Sequence, residues 1–318
     1  MVFRQQSHAV SGTNMEKKRH VLITGGTGFV GVPLIVFLLQ QGWRVTVFVR
    51  DYARSRQLLG AAPTLIRNFD EIENSEQIDV VINLAGAGIA DQRWNQARKK
   101  ILLDSRVHTT RALLSLAQRL DTRPGVLISA SAIGFYGSAD GRPLDECAAG
   151  GDEFTTELCK RWEEEASKAE ALGMRVCIIR LGVVLAPDGG MLGKLLPIFK
   201  LGLGGRTGHG RQYLSWIHRD DVIAVINWLV TSEAQGVFNV TAPDAVTNAC
   251  FSQLLADALH RPCLFQQPAA IVQLMFGEMG EQLLLNGQNV IPARLLAEGF
   301  VFRYPGLHDA LVASISGH

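Results

Sequence analysis

Thr24-Gly25-Gly26-Thr27-Gly28-Phe29-Val30-Gly31 is the stretch on which the fold turns. It follows the apolar run Val21-Leu22-Ile23 and precedes another from Val32 to Leu39. The reading is a short strand, a tight glycine turn and a helix. Gly25, Gly28 and Gly31 recur at every third position. In a dinucleotide site one such glycine makes the turn, one lets backbone N–H groups approach a pyrophosphate, and one lets helix pack on strand. The N-terminus of the following helix adds partial positive charge for the phosphates.

Outward from this stretch the apolar pattern alternates. Strands are expected at 20–24, 43–49, 78–84, 125–130, 175–180 and 237–240. Helices are expected at 29–41, 51–60, 94–119, 155–172, 191–201, 219–230 and 248–260. Alternation of this kind predicts an α/β fold, a Rossmann-type doubly wound parallel sheet with helices on both faces. Ligands then sit at the carboxyl ends of the strands, by the switch point. After about residue 185 the chain becomes glycine- and loop-rich, with Gly189-Gly190, Gly202 to Gly205 and Gly208-His209-Gly210. The expected organisation is a disordered extension over 1–19 and a nucleotide-binding domain over 20–185, to which 215–245 returns. A smaller C-terminal substrate lobe takes 186–214 and 246–318. Met15, just ahead of the first strand, is an alternative start.

Bulk properties exclude several classes. With 47% apolar and 19% charged residues the chain has the composition of a folded globule. A net charge of +1 gives no field for nucleic acid or an anionic membrane. The longest basic run, Lys17-Lys18-Arg19, reads as a solvated lead-in. Five scattered cysteines with no C-x-x-C pair point to reduced thiols and a cytoplasmic protein, and no metal site is expected. The 30–39 run is too short to span a membrane and contains Pro33.

The second strand ends in Phe48-Val49-Arg50-Asp51. An acidic residue there holds the ribose 2′-hydroxyl of NAD, and a basic one favours the 2′-phosphate of NADP. Arg50 suits a phosphate because its guanidinium makes paired, charge-assisted hydrogen bonds. NADP(H) is therefore the expected cofactor; NAD(H) takes its place if Asp51 rather than Arg50 faces the ribose.

Further segments carry a resemblance. Thr24 to Gly31, Asn83-Leu84-Ala85-Gly86, Ser129-Ala130-Ser131 with Phe135-Tyr136-Gly137, and Arg180 to Leu185 resemble the extended short-chain dehydrogenase/reductase superfamily. Arg93-Trp94, Trp162-Glu163, the stretch from Leu201 to His218, Gly287 to Pro292 and Gly299-Phe300 are similar to an atypical NAD(P)-dependent epimerase-like family with its own C-terminal domain. The resemblance runs from about residue 20 to the end. It implies that Thr27, Gly28, Phe29 and Val30, with Gly25 and Gly31, lie against the pyrophosphate. It places Val49 and Arg50 at the adenosine ribose phosphate, Asp70 near the adenine, and Leu84, Ala85 and Gly86 along the adenine–ribose side. Arg106 stands where related proteins often carry Asn and is expected at the cofactor, and Val184 at its nicotinamide end.

The resemblance also exposes a departure. Most short-chain dehydrogenases use a Ser together with Tyr and Lys four residues apart on one helix. The Lys lowers the phenol pKa from about 10 toward neutrality. Ser131 matches the Ser, but Leu158 stands where Tyr is expected and Trp162 where Lys is expected. The remaining candidates for acid–base work are Ser131, Tyr136 and His218, with Tyr213, Cys159 and Lys160 as weaker substitutes. Glu163, Glu164 and Glu165 with Lys168 read as surface pairing at helical spacing. Two readings stay open. One is an NADP-dependent oxidoreductase acting on a small carbonyl or alcohol; the other is a non-catalytic NADP(H)-binding redox sensor.

Overall fold

The computed structural model describes residues 18–316. Its central sheet takes β1 (His20–Thr24), β2 (Arg44–Phe48), β3 (Thr64–Ile66), β4 (Val80–Asn83), β5 (Val126–Ala132), β6 (Arg175–Leu181) and β7 (Gly236–Val240). These seven strands lie in the order β7-β6-β5-β4-β1-β2-β3, and every pairing is parallel. The order reverses between β1 and β4, which is the switch point of a doubly wound sheet. β3 was not expected from sequence. Its three residues, Thr-Leu-Ile, are too few to show a period, and only pairing with β2 defines them as a strand.

Alternate residues of each strand feed opposite faces. Val21 and Ile23 of β1, Val45 and Val47 of β2 and Val80 and Ile82 of β4 pack in one cluster. That cluster includes Leu34, Ile35 and Leu38 of α1 (Gly31–Gln40). The intervening Leu22, Val81 and Leu127 turn to the other face. There they meet Leu113, Leu116 and Ala117 of a long helix, Gln96–Arg119, and Ala166 of a helix at Phe154–Ser167. Burying each of these large side chains stabilises the fold by about 1.5–3 kcal/mol. The helix Tyr52–Leu59, α2, is capped by Asp51. We name the next three α3 (Gln96–Arg119), α4 (Phe154–Ser167) and α5 (Gly190–Lys200).

The segments after β6 pack around a separate cluster of Leu185, Leu192, Phe199, Trp216, Phe251, Leu255 and Leu311. It joins α5, the helix Asn248–Ala258 and the last helix, Leu307–Ser316. The helix Arg219–Thr231, α6, returns to the face occupied by α1, through Val222, Val225 and Ile226. Two-stranded pairings stitch the later segments to the earlier ones: Gly205–Thr207 with Phe265–Gln267, and Pro143–Leu144 with Asn289–Val290. Asp221, fully buried, accepts from the backbone N–H groups of Arg303 and Tyr304 and ties the C-terminal region to α6.

The expected extension over 1–19 lies outside the described residues up to position 17. Arg19 belongs with the fold: its carbonyl accepts from the N–H of Arg44, and its guanidinium lies 4.5 Å from the Trp43 ring centre. No helix among the described residues is long and apolar enough to cross a membrane.

Candidate functional site

The glycine turn closes against the end of β4. A Cβ on Gly25 would stand 2.4 Å from the carbonyl oxygen of Leu84, and Gly25 has φ +72°. A Cβ on Gly31 would stand 2.4 Å from the Gly25 carbonyl oxygen. The turn is therefore wrapped so tightly that side chains are excluded on its inner side, while Thr27 and Gly28 are exposed. Helix α1 starts here with no side-chain cap and no acidic residue in its first turn. Helices α2, α3 and α6 are each capped, by Asp51, Asn95 and His218. Val32 and Leu34 N–H already bond to the Gly28 and Val30 carbonyls and Pro33 has no N–H, so what α1 offers an anion is its dipole and the N–H at its very start.

A buried polar knot sets the shape of this turn. Thr24 Oγ1 donates to Asn83 Oδ1 at 2.7 Å, and Asn83 Nδ2 donates to Thr110 Oγ1 at 2.9 Å and to Ser129 Oγ at 3.3 Å. Asn83 so joins the ends of β1, β4 and β5 to α3. An Asn after Val-Val-Ile in a central strand was the signal for it in the sequence. Asn83→Ala strands buried hydroxyls and is expected to cost about 1–3 kcal/mol. A matching fall in the urea midpoint checks this, and an unchanged midpoint contradicts it.

At the end of β2, Val49 is buried and Arg50 exposed. Among the described residues no carboxylate pairs with Arg50. Asp51 is spent locally: its carboxylate accepts from the N–H of Arg54 at 3.0 Å and starts α2. Asp70 sits in the turn after β3, one strand further toward the sheet edge, exposed. Leu84, Ala85 and Gly86 follow β4, and Gly86 faces Arg106, whose Cζ would lie 2.9 Å from a Cβ there. Phe29 is covered by Gly189 and Gly190, beside the Val184 carbonyl, and Arg219 lies 5.0 Å from its ring centre. Arg219 pairs in turn with Asp188 at 2.6 Å. Val30, Leu84 and Val184 all pack against the same cluster. The structure thus gathers the residues expected at a cofactor around the carboxyl ends of β1, β2 and β4, with Asp70 the most peripheral.

The acid–base candidates fare differently. Ser131 is buried and gives its only proton to Glu163 Oε1 at 2.5 Å. Glu163 also takes both ends of Arg180, Nε at 2.9 Å and Nη2 at 2.8 Å. Arg180 donates onward to the Tyr136 hydroxyl at 3.0 Å, which donates to Asn239 Oδ1 at 2.7 Å. Burial raises the Tyr136 phenol above its ordinary pKa despite Arg180 beside it. Burial alone would pull the Arg180 guanidinium down, but the bonds and charge of Glu163 outweigh it and hold Arg180 above its ordinary value. His218 Nδ1 accepts from the N–H of Asp220 at 3.2 Å, which caps α6, and the ring lies 4.2 Å from Tyr304. Each of the three candidates is therefore engaged in holding the fold.

The weaker substitutes are engaged as well. Cys159 is buried, its thiol pushed up to about 11 by burial, with Sγ 3.5 Å from the Ala132 carbonyl. Lys160 donates to the Gly151 carbonyl at 3.2 Å. Tyr213 is wedged between the loops at Gly141 and Gly287. The pairing with Lys168 at helical spacing holds for Glu165, at 2.8 Å, and is corrected for Glu163. Glu163 is buried on Arg180, Glu165 is buried against Arg111 and Lys168, and only Glu164 is exposed. Arg180, a cation inside an apolar strand, was the sequence signal for a buried carboxylate partner.

The positions of the absent Tyr and Lys differ from each other. Leu158 is buried in an apolar cluster with Trp94, Leu102 and Met279, which fastens the 276–283 segment onto α3 and α4. Trp162 is buried in the main cluster, and its indole N–H has no hydrogen-bond partner among the described residues.

A parallel sheet with a switch point, an uncapped α1 and a glycine turn folded on the end of β4 define a dinucleotide-binding protein of the extended short-chain dehydrogenase/reductase type. The chain belongs to the NAD dependent epimerase/dehydratase family, whose model matches residues 21–241. A further match covers 267–313, to a domain of unknown function, DUF1731. An epimerase family protein of Mycobacterium bovis is 37% identical and covers 92% of this chain and 96% of its own. The human epimerase family protein SDR39U1 is 35% identical, covering 92% of this chain and 98% of its own. A crystal structure of the human protein with NADPH superposes with a TM-score of 0.83 at 33% identity, over 94% of this chain and 100% of that one. UDP-glucose 4-epimerase of Thermotoga maritima, with UDP-glucose, has a TM-score of 0.76 over 93% of this chain and 97% of its own. At 16% identity that likeness is one of fold alone.

Proposed function

We propose that the protein binds NADP(H) at the carboxyl ends of β1, β2 and β4 and serves as an oxidoreductase for a small carbonyl or alcohol. The observation that carries the cofactor is the contrast at the end of β2. Arg50 is exposed and pairs with no carboxylate among the described residues, while the Asp51 carboxylate turns to the N-terminus of α2. A guanidinium so placed suits a 2′-phosphate, and a spent carboxylate does not suit a 2′-hydroxyl. The NADPH in the human relative's crystal structure supports the same reading. The turn from Gly25 to Gly31 and the open start of α1 fit a pyrophosphate, so the residues present fit the group.

When bound, NADPH supplies a hydride. The chain's own residues bind and orient the cofactor and wall the cleft. Ser131, Tyr136 and His218 hold their protons or lone pairs in structural bonds, so the proton that balances reduction comes from water. A cytoplasmic location is part of this proposal; a relative from Arabidopsis thaliana, 36% identical, is chloroplastic.

One observation favours the second reading, a non-catalytic sensor of NADP(H). Leu158 and its apolar neighbours fill the place of the Tyr, and Trp162 fills that of the Lys. A sensor requires the reduced and oxidised cofactors to differ in affinity or in the conformation they select. Equal affinities and identical protease patterns with both would argue against it.

Fluorescence titration tests the cofactor. NADPH is expected to bind the parent more tightly than NADH, and Arg50→Ala to weaken NADPH about tenfold or more, roughly 1.4 kcal/mol. NADH affinity should stay put. Equal or tighter NADH binding by the parent would overturn the assignment.

A further inference from the structure

We propose that the C-terminal region docks on the surface of an anionic lipid bilayer, through an apolar patch built from the turn after α5, the residues around Leu264 and the helix Ala269–Phe276. This goes beyond the oxidoreductase reading and does not rest on it.

Two segments build the patch. The pairing of Gly205–Thr207 with Phe265–Gln267 brings the turn after α5 beside residues 261–265. A Cβ on Gly202 would lie 3.6 Å from the Pro262 ring, and Arg261 Nε donates to the Lys200 carbonyl at 2.9 Å. Leu201 is 74% exposed and Leu264 82%, with Leu203 and Phe265 exposed beside them. The chain continues from Gln267 through Pro268 into the helix Ala269–Phe276. There Ile271, Leu274 and Met275 share one face by their spacing, and all three are exposed, Leu274 at 77%. Only Val272 of that helix is buried. A contiguous apolar patch of this kind marks a surface that meets something other than water.

Charge indicates what covers it. Over 189–219 and 258–277 the chain carries no Asp or Glu. Three exposed cations of these stretches border the patch. Lys200 precedes Leu201, Arg261 is bonded to the Lys200 carbonyl, and Arg206 donates to the Gln266 side chain beside Phe265. None of the three pairs with a carboxylate among the described residues. Of the acids that bound the two stretches, Asp188 pairs with Arg219 and Glu278 with Lys99, each at 2.6 Å, and Asp220 lies 3.6 Å from Arg303. Asp257 accepts from the Gln253 amide. A net charge of +1 does not exclude a positive face, because it averages over charges that are segregated along the chain.

Other covers fit less well. In a two-fold contact with a second copy the patch meets itself, so the cations of one copy would face those of the other. A protein partner is gripped by anchors seated in pockets, whereas these leucines project from the surface. Projecting apolar side chains bordered by unpaired cations match anionic headgroups lying over acyl chains. A helix of eight residues is too short to cross the bilayer, so the contact is interfacial.

Co-sedimentation of the full chain with vesicles tests this, using phosphatidylcholine alone and phosphatidylcholine mixed with phosphatidylglycerol. The parent is expected to bind the mixed vesicles, to bind the neutral ones far less, and to come off the mixed ones as salt is raised. Leu264→Ser combined with Leu274→Ser should weaken binding to the mixed vesicles at least about tenfold, roughly 1.4 kcal/mol. Lys200→Glu combined with Arg261→Glu should do the same while leaving the residual binding to neutral vesicles unchanged. All four side chains are exposed, so urea midpoints should match the parent's and separate lost docking from lost folding. Binding to neither vesicle overturns the proposal. Equal binding to both does so too, because the cations then have no part in it. A parent that sediments as a dimer, and becomes a monomer in the double serine variant, also overturns it, since a second copy then covers the patch.

Discussion

Glu163→Leu is expected to cost the folded state about 3–5 kcal/mol, the range for stranding one half of a buried ion pair. Arg180 is 4% exposed on β6 and has both guanidinium edges occupied, by Glu163 and by Tyr136. Its face lies 3.4 Å from the Phe135 ring centre, so it cannot swing to water. Ser131 would lose its acceptor in the same variant. Against a typical total stability of about 5–15 kcal/mol, a loss of this size removes a large share. Most of the loss should return in Glu163→Leu combined with Arg180→Met, because an apolar pair of similar volume carries no desolvation cost. Return will be incomplete, since Tyr136 and Ser131 keep broken bonds. Urea midpoints of the four proteins in the cycle measure the coupling. A single variant as stable as the parent, or a double variant no better than the single, would refute this account.

This network also marks where the sequence stopped being readable. The sheet was legible because its strands are short apolar runs bounded by turns, and six of seven fall within two residues of the expected ends. β3 escaped because three residues show no period. The cofactor side was legible because glycine spacing and the end of β2 are local features. Arg50 and Asp51 illustrate the limit. Adjacent residues of opposite charge gave two cofactors, and only the Asp51 bond to the N–H of Arg54 separates their roles.

The proton-transfer side was far less legible, for a physical reason. Ser131, Glu163, Arg180, Tyr136 and Asn239 are spread over more than a hundred residues, and no spacing rule connects them. Glu163 looked like its exposed neighbour Glu164 because helical spacing alone cannot say which face is buried. His218 read as a candidate for acid–base work until its Nδ1 was seen to accept from the N–H of Asp220.

Gly31→Ala should nearly abolish cofactor binding, lowering NADPH affinity at least about a hundredfold, roughly 2.8 kcal/mol. The argument is steric, because helix propensity points the other way. Gly31 opens α1, where alanine is intrinsically better by about 1 kcal/mol. Against that, the new Cβ would stand 2.4 Å from the Gly25 carbonyl oxygen and 2.7 Å from Gly26 Cα. Both are backbone atoms, so no side chain can rotate away. The turn has to lift off α1, and its lift carries away the N–H groups that would meet the phosphates. Overpacking of this kind costs about 1–3 kcal/mol of stability, occasionally more. Gly28→Ala provides the comparison within the same turn. Its Cβ meets one atom, the Gly25 carbonyl oxygen at 3.1 Å, which a shift of a few tenths of an ångström relieves. Its effect should be several-fold smaller on affinity and on stability. Titration of both variants with NADPH, alongside urea unfolding, reads the difference. If Gly31→Ala binds as tightly as Gly28→Ala, then the close wrap of the turn on α1 is not what holds the cofactor, and the anion must be taken by side chains such as Arg50 and Arg106 instead.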